Sequence, residues 1–240
     1  LYNYVEESEV DNKNLFNQNN IFGKQINLSQ NNINKEYINR LQEKFNSKEI
    51  DDEVIFNYIY GILHSTDYRK RFKNNITKSL ARIPIVNDVE DFFAFSKAGK
   101  ELAFLHLNYE TVEMYETYFK EGDLRLLYID DQKKFFRVDR MKFANKSDKS
   151  SIIYNKNLTL QNIPLEVYEY VVNGKSALEW VMERQSVKTN KSTGIVNDAN
   201  DYANQTIGNP AYPLELIRRM ITVSLETIKI VNSLPKLNID

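Results

Sequence analysis

Residues 164–198, PLEVYEYVVNGKSALEWVMERQSVKTNKSTGIVND, hold the single tryptophan of the chain, Trp180, and constrain its fold more than any other stretch. Pro164 can open a helix, because its missing N–H would be unpaired in a first turn anyway. Leu165, Tyr168 and Val172 follow at helical spacing. Asn173-Gly174 then reads as a helix stop, since glycine tolerates the left-handed conformation that ends helices. Ser176 is placed to cap a second helix through Ala177, Leu178, Val181 and Met182. After Arg184-Gln185 the apolar pattern ends, and residues 185–202 are polar. The expectation is a helix pair presenting a long polar loop, and loops of that length in a compact domain are functional or disordered.

Before this stretch the chain divides by pattern. Residues 1–33 are rich in Asn, Gln and acid and read as an irregular lead-in. Residues 34–108 read as a helical subdomain. Tyr37, Leu41 and Phe45 recur every fourth position, and Asp51-Asp52 starts a helix whose stripe is Val54, Ile55, Tyr58, Ile59, Ile62 and Leu63. After a break at Ser65-Thr66, Tyr68, Phe72 and Ile76 share a side, with Arg69, Lys70, Arg71 and Lys73 around them. Asn87 and Glu90 have capping-box spacing. Gly99, inside the next helix, predicts close approach of a second helix, because glycine there costs about 1 kcal/mol against alanine. His64 and His106 sit in apolar company and read as packed side chains rather than bases.

Residues 109–163 read as an antiparallel β subdomain. Strand-like runs cover 124–129, 134–138 and 140–143, with a change of phase near Asp139 that predicts a bulge or bend. Asn155-Lys156-Asn157 separates two further short runs and predicts a tight hairpin. Lys133, Lys134, Arg137, Arg140, Lys142, Lys146 and Lys149 make this the most basic local region. The last unit, 164–240, adds a long helix from Pro213, striped by Ile217, Met220, Ile221, Ser224, Ile228 and Val231 and closed by Pro235. The fold class is therefore α+β, predominantly helical, with a small antiparallel sheet between helical segments.

Composition narrows the chemistry. In 240 residues, 42% hydrophobic content supports a packed core, and the absence of cysteine excludes disulfide and thiol chemistry. Two histidines make a histidine-based metal cluster improbable, and seven glycines argue against a glycine-rich nucleotide loop. No apolar run reaches the roughly 20 residues of a membrane span. The chain begins with Leu1, so an excised piece of a longer protein is expected. Its net charge of −1 means that any nucleic-acid surface must come from segregated charge.

The phrases IPLEVYEYVVNGKSALEWVMER and VKTNKSTGIVNDANDYA, together with FNYIYGILHSTDYRKRF, ARIPIV and GKELAFLHLNYE, resemble the C-terminal specificity region of type ISP (single-chain type I-like) restriction–modification enzymes. The likeness runs over roughly residues 50 to 232. It implies a target-recognition role on double-stranded DNA in the cytoplasm of a prokaryote, as part of defence. It also implies a parent with endonuclease, ATP-dependent translocase and S-adenosylmethionine-dependent adenine methyltransferase parts. S-adenosylmethionine, ATP and Mg would belong to that parent, and this fragment would carry no catalytic residue, metal or cofactor. On this reading the partners are duplex DNA and the methyltransferase domain of the same chain. Backbone contacts fall to Arg69, Lys70, Arg71, Lys73, Lys133, Lys134, Arg137, Arg140 and Lys142. Base contacts fall to Lys188, Asn190, Lys191, Ser192 and Thr193, because lysine reads guanine acceptors and asparagine suits adenine in the major groove.

Two other readings compete. The helices could form a scaffold that docks the parent's domains without reading bases. Asn209-Pro210-Ala211-Tyr212 also resembles the Asn-Pro-Pro-Tyr motif of adenine N6-methyltransferases, which holds a flipped base. Here no hydrophobic strand precedes it and a helix follows, so a turn into the last helix is the simpler reading.

Overall fold

The computed structural model describes residues 33–76, 78–126 and 128–239. The lead-in expected over 1–33 lies outside them, Ile33 excepted. Helix α1 (Lys35–Phe45) starts where Asn34 accepts the Glu36 N–H at 2.9 Å, and it buries Leu41 and Phe45. Helix α2 (Asp52–His64) is capped by Asp51, which accepts the Val54 N–H at 2.9 Å. Ser65 ends α2 and caps α3 (Thr66–Arg71), and α4 (Lys73–Ile76) follows.

Helix α5 (Val89–Leu107) packs along α2. Glycine on both helices permits the contact. A Cβ on Gly99 would lie 1.8 Å from the Asn57 carbonyl oxygen, and one on Gly61 would lie 2.2 Å from that of Phe95. Around this crossing Ile55, Tyr58, Ile62, Phe92 and Phe95 close a helical core, with the Tyr58 and Phe92 rings stacked 4.3 Å apart. The capping box expected at Asn87 and Glu90 does not form. The N-cap is Asp88, without a side-chain cap bond. The C-terminal tail occupies this helix start instead: Asn87 N–H donates to the Asn238 carbonyl at 3.0 Å, and Asn238 Nδ2 donates to Asp88 at 3.0 Å.

The middle of the chain holds a four-stranded antiparallel sheet of very short strands, β1 (Tyr118–Phe119), β2 (Lys142–Phe143), β3 (Ile152–Ile153) and β4 (Thr159–Gln161), in the order β1-β4-β3-β2. Two expected strands are absent. Residues 124–126 form a 3-10 turn, and Gln132–Phe136 forms helix α6. Asp131 explains the second difference, because its carboxylate accepts the Lys134 N–H at 3.0 Å and starts a helical turn that drives Phe136 into the core. The chain then bends at Asp139, where the phase changed. The Asn155–Asn157 turn forms as expected. Asn155 Oδ1 accepts the Asn157 N–H at 2.8 Å, and Asn155 Nδ2 donates to Phe135 and Arg137 carbonyls at 2.8 and 2.9 Å, tying the turn to α6.

The organising stretch folds differently from its expectation. Leu165–Glu169 is one 3-10 turn, and β5 (Val171–Val172) pairs with β6 (Lys175–Ser176). Asn173 (φ 49°) and Gly174 (φ 85°) are both left-handed, the signature of a two-residue hairpin turn rather than a helix stop. Helix α7 (Ala177–Arg184) has the full capping box of Ser176 and Glu179. The long polar loop is itself a hairpin, β7 (Val187–Thr189) on β8 (Val196–Asp198). A short α8 (Ala199–Asp201) continues as a π-helical turn over Tyr202–Ile207 and ends at Gly208 (φ 72°). Helix α9 (Tyr212–Asn232) then runs 21 residues.

A second core joins the sheet to the C-terminal helices: Val138, Ile152, Tyr154, Leu158 and Leu160 meet Leu178 and Met182 of α7 and Leu214, Ile217 and Ile221 of α9. The molecule is α+β, with a helical core and a sheet core; α9 contributes to the sheet core and packs on α5, and the tail after it packs on the helical core.

Candidate functional site

Beside the outer edge of the sheet, β2, α7 and β7 enclose an open groove of about 720 Å³. Arg140, Lys142 and Lys146 line one wall and Lys175 and Lys188 the other, over a floor of Met141, Phe143 and Met182. Arg140 and Lys142 also line an adjoining groove of about 440 Å³ with Lys134, Arg137 and Lys156. The two grooves meet at Arg140 and Lys142, which line both. Their acidic lining is limited to Asp139, Glu179 and Glu183. Eight of the 32 Lys and Arg side chains thus gather around two grooves with three acids.

Polar bonds fix the wall. Asn200 is buried and clamps Val138, accepting its N–H at 2.9 Å and donating to its carbonyl at 2.8 Å. Val187 N–H donates to the Asp139 carbonyl at 2.9 Å. Arg137 reaches Asp198 at 2.9 Å and Asp139 at 3.2 Å. Burial alone would raise the Asp198 carboxyl. Hydrogen bonds from Asn200 and Arg137 outweigh it and hold the group below its ordinary value. The base of the β7–β8 hairpin is therefore bolted to the bend between α6 and β2.

The hairpin tip is exposed and internally ordered. Asn190 Oδ1 accepts the Ser192 N–H at 3.0 Å, the Ser192 hydroxyl at 2.7 Å and the Thr193 N–H at 3.4 Å. Thr193 Oγ1 accepts the Ile195 N–H at 3.3 Å. Asn190, Ser192 and Thr193 thus shape the tip with the groups that could otherwise read bases. Among the described residues Lys191 has no hydrogen-bond or ion-pair partner, whereas Lys188 pairs with Glu183 at 2.9 Å.

The predicted site residues fall into separate places. Lys188 lines the larger groove, Lys134 and Arg137 the smaller, and Arg140 and Lys142 both; Asn190, Lys191, Ser192 and Thr193 form the tip of the β7–β8 hairpin. Lys133 is exposed on α6, outside the groove lining. Arg69, Lys70, Arg71 and Lys73 belong to α3 and α4 on the helical core. Arg69 Nε donates to the Leu63 carbonyl at 2.7 Å, and the Arg71 guanidinium lies 5.8 Å from the Phe72 ring centre. Neither groove includes them. Sequence reading left Lys156, Lys175 and Glu183 out of the site, since their placement needed the two hairpins to be known first. Lys146 was visible in the basic run.

Asn209-Pro210-Ala211-Tyr212 is a turn into α9. Asn209 Nδ2 donates to Glu215 at 2.9 Å and its Oδ1 accepts the Ala211 N–H at 3.0 Å, so both ends of the amide are engaged. Tyr212 is buried and its hydroxyl donates to Glu110. His106 is a packed side chain, its ring nitrogens 2.8 Å from the Tyr60 hydroxyl and 2.9 Å from that of Thr227. Among the described residues no group of three His, Asp or Glu side chains is arranged to hold a metal, and no helix is long and apolar enough to cross a membrane.

Comparison with known proteins gives a consistent result. The family model described as the type ISP C-terminal specificity domain matches residues 1–216, starting and stopping earlier than the 50–232 expected. Among solved structures, the ATP-dependent type ISP restriction-modification enzyme LlaBIII bound to DNA shares 36% identity at a TM-score of 0.72, over 87% of this chain and 12% of that one. A nuclease-deletion mutant of the type ISP enzyme LlaGI with a DNA substrate mimic shares 36% identity at a TM-score of 0.68, over 80% of this chain and 14% of that one. A DrdV–DNA complex shares 27% identity at a TM-score of 0.68, over 86% of this chain and 20% of that one. The chain thus spans a small part of the length of each. No curated protein sequence matches it.

Proposed function

The chain belongs to the type ISP C-terminal specificity domain family, and on that premise we propose that it binds double-stranded DNA and selects the sequence on which a larger enzyme acts. The observation that carries this reading is that Lys134, Arg137, Arg140, Lys142, Lys146, Lys156, Lys175 and Lys188 line two adjoining grooves that share Arg140 and Lys142. Phosphate neutralisation supplies the sequence-independent part of DNA affinity, and such a surface is what that term requires. The three similar structures all hold DNA or a DNA substrate mimic.

In this reading the grooves position the duplex and the β7–β8 hairpin reads it. Lys191 donates to guanine O6 or N7, and Asn190, Ser192 and Thr193 hold the tip in shape for it and offer their remaining polar groups. Arg69, Lys70, Arg71 and Lys73 form a second, separate patch for phosphates further along the duplex, and Lys133 flanks the first. Methylation of adenine and cleavage fall to other domains of the parent, a cytoplasmic prokaryotic defence enzyme. S-adenosylmethionine, ATP and Mg bind there, and the methyltransferase domain is the neighbour of this one.

The test is binding of the full-length protein to a labelled random-sequence duplex across a salt series. Log affinity is expected to fall linearly with log salt, with a slope near −0.9 for each phosphate contact. Replacing Arg140 and Lys142 together by alanine should shallow that slope by about 2. An unchanged slope removes the groove from the interface.

A further inference from the structure

One acidic side chain stands where it should weaken the proposed interface. Glu183 of α7 lines the basic groove and is bonded to cations on both sides. Its Oε2 accepts from Lys175 Nζ at the β5–β6 turn, and its Oε1 accepts from Lys188 Nζ on β7 at 2.9 Å. The opposite wall differs. Among the described residues Arg140, Lys142 and Lys146 have no ion-pair partner. The groove therefore has a bare wall and a wall whose two lysines share one carboxylate. Glu183 itself is held far below the usual carboxylate range, at about 2, by hydrogen bonds from Lys175 and Lys188. It stays charged throughout the physiological range.

Building on the DNA-binding reading, we propose that Glu183 is a stand-in for a DNA phosphate: it holds Lys175 and Lys188 together in the free protein and yields them to the backbone only when the duplex is seated against the bare wall. Two oxygens of a carboxylate bridging two ammonium groups match the way a phosphate's oxygens would bridge them. The exchange is feasible because exposed ion pairs are individually weak, so handing two lysines to a phosphate costs little. Loose, sequence-independent encounters engage the bare wall alone. A seated duplex gains two further phosphate contacts, which adds a term that only the correctly docked complex collects. Glu183 thereby lowers affinity for random DNA and widens the gap between target and non-target.

The prediction is specific in sign. Glu183→Gln in the full-length protein should tighten binding to a random-sequence duplex by about 3- to 10-fold, the equivalent of one or two released ion pairs, and lower the site preference correspondingly. Glu101→Gln, an exposed acid on α5 away from the groove, controls for the change in net charge. Glu183→Gln placed on a Lys175→Gln/Lys188→Gln background should have no further effect, since the two cations it restrains are gone. Unchanged or weaker random-DNA binding by Glu183→Gln, an equal gain from Glu101→Gln, or a full gain on the lysine-free background overturns the proposal. If wild type fails to bind DNA at all, the DNA-binding reading falls first. Wild-type binding with an inert Glu183→Gln removes only this inference.

Discussion

His106 shows how a single side chain joins packing to pH. Its ring lies between Tyr60, Tyr170 and Thr227, stacked on Tyr170 at 5.3 Å and 10°, with the His64 ring 5.4 Å away. Burial, then the neighbouring His64, pushes its pKa down from 6.5 to about 4. His64 is also lowered, by burial first and by the nearby Arg69 charge, against a bond from its ring to the Tyr60 carbonyl that raises it. The folded protein thus keeps His106 neutral at a pH where the unfolded chain binds a proton. Stability is fully present above about pH 6.5. It is lost as pH falls from there toward about 4, with a limiting slope of about 1.4 kcal/mol per pH unit. Below that the ring is protonated in both states and contributes no further slope. Urea midpoints measured across this range should fall for wild type and fall less steeply for His106→Gln. Parallel curves would mean that the folded protein already accommodates the imidazolium.

At the scale of elements, the β7–β8 hairpin depends on one buried asparagine outside it. Val138 is fully buried, and Asn200 satisfies both its N–H and its C=O. Asn200→Ala would orphan two buried backbone groups, at about 1–3 kcal/mol each. The expected result is an unfolding free energy lowered by about 2–6 kcal/mol, faster hydrogen exchange at the Val138 amide, and poorer discrimination between DNA sequences. Exchange at Val138 as slow as in wild type would show that the clamp is dispensable. Such a clamp leaves no trace in sequence, because it joins positions 62 apart. What was legible is what is local. The stripe of α2, the cap at Ser176, the turn at Asn155–Asn157 and the glycine in α5 each write their cause within a few residues. The misread elements had two local meanings. Asn173-Gly174 ends helices and turns hairpins alike, and only the pairing of Val172 with Lys175 decides between them. Lys134–Val138 has strand-like alternation, yet the carboxylate of Asp131 turns its first three residues helical. Residues 185–202 looked like loop because strands of three residues carry too few alternations to register. The basic sheet region was read correctly as cationic, but the second wall of the groove was hidden until both hairpins closed.

The whole molecule hangs on α9. Its N-terminal half supplies Leu214, Ile217 and Ile221 to the sheet core. Further along, Thr227 meets His106 of α5, and beyond the helix Leu234, Leu237 and Ile239 pack on the helical core. The tail then bonds the start of α5 through Asn238, so the two cores are coupled by one continuous segment. The family match ends at residue 216, near the start of this helix. A chain truncated after Leu216 therefore loses Ile217 and Ile221, both fully buried, at about 1.5–3 kcal/mol each before any cavity term. That alone approaches the 5–15 kcal/mol by which a typical domain is stable, so the truncated chain should not fold. Truncation after Ser233 keeps the sheet core intact and removes only the tail. It should leave the amides of β2–β4 and α7 protected from hydrogen exchange while α1 and the start of α5 lose protection. If removal of the tail instead melted both halves together, α9 would transmit stability from the helical core to the groove. The basic surface would then depend on contacts made at the far end of the molecule. If neither half responded, the tail would be a passenger, and the Asn238 bonds would carry no measurable share of the fold.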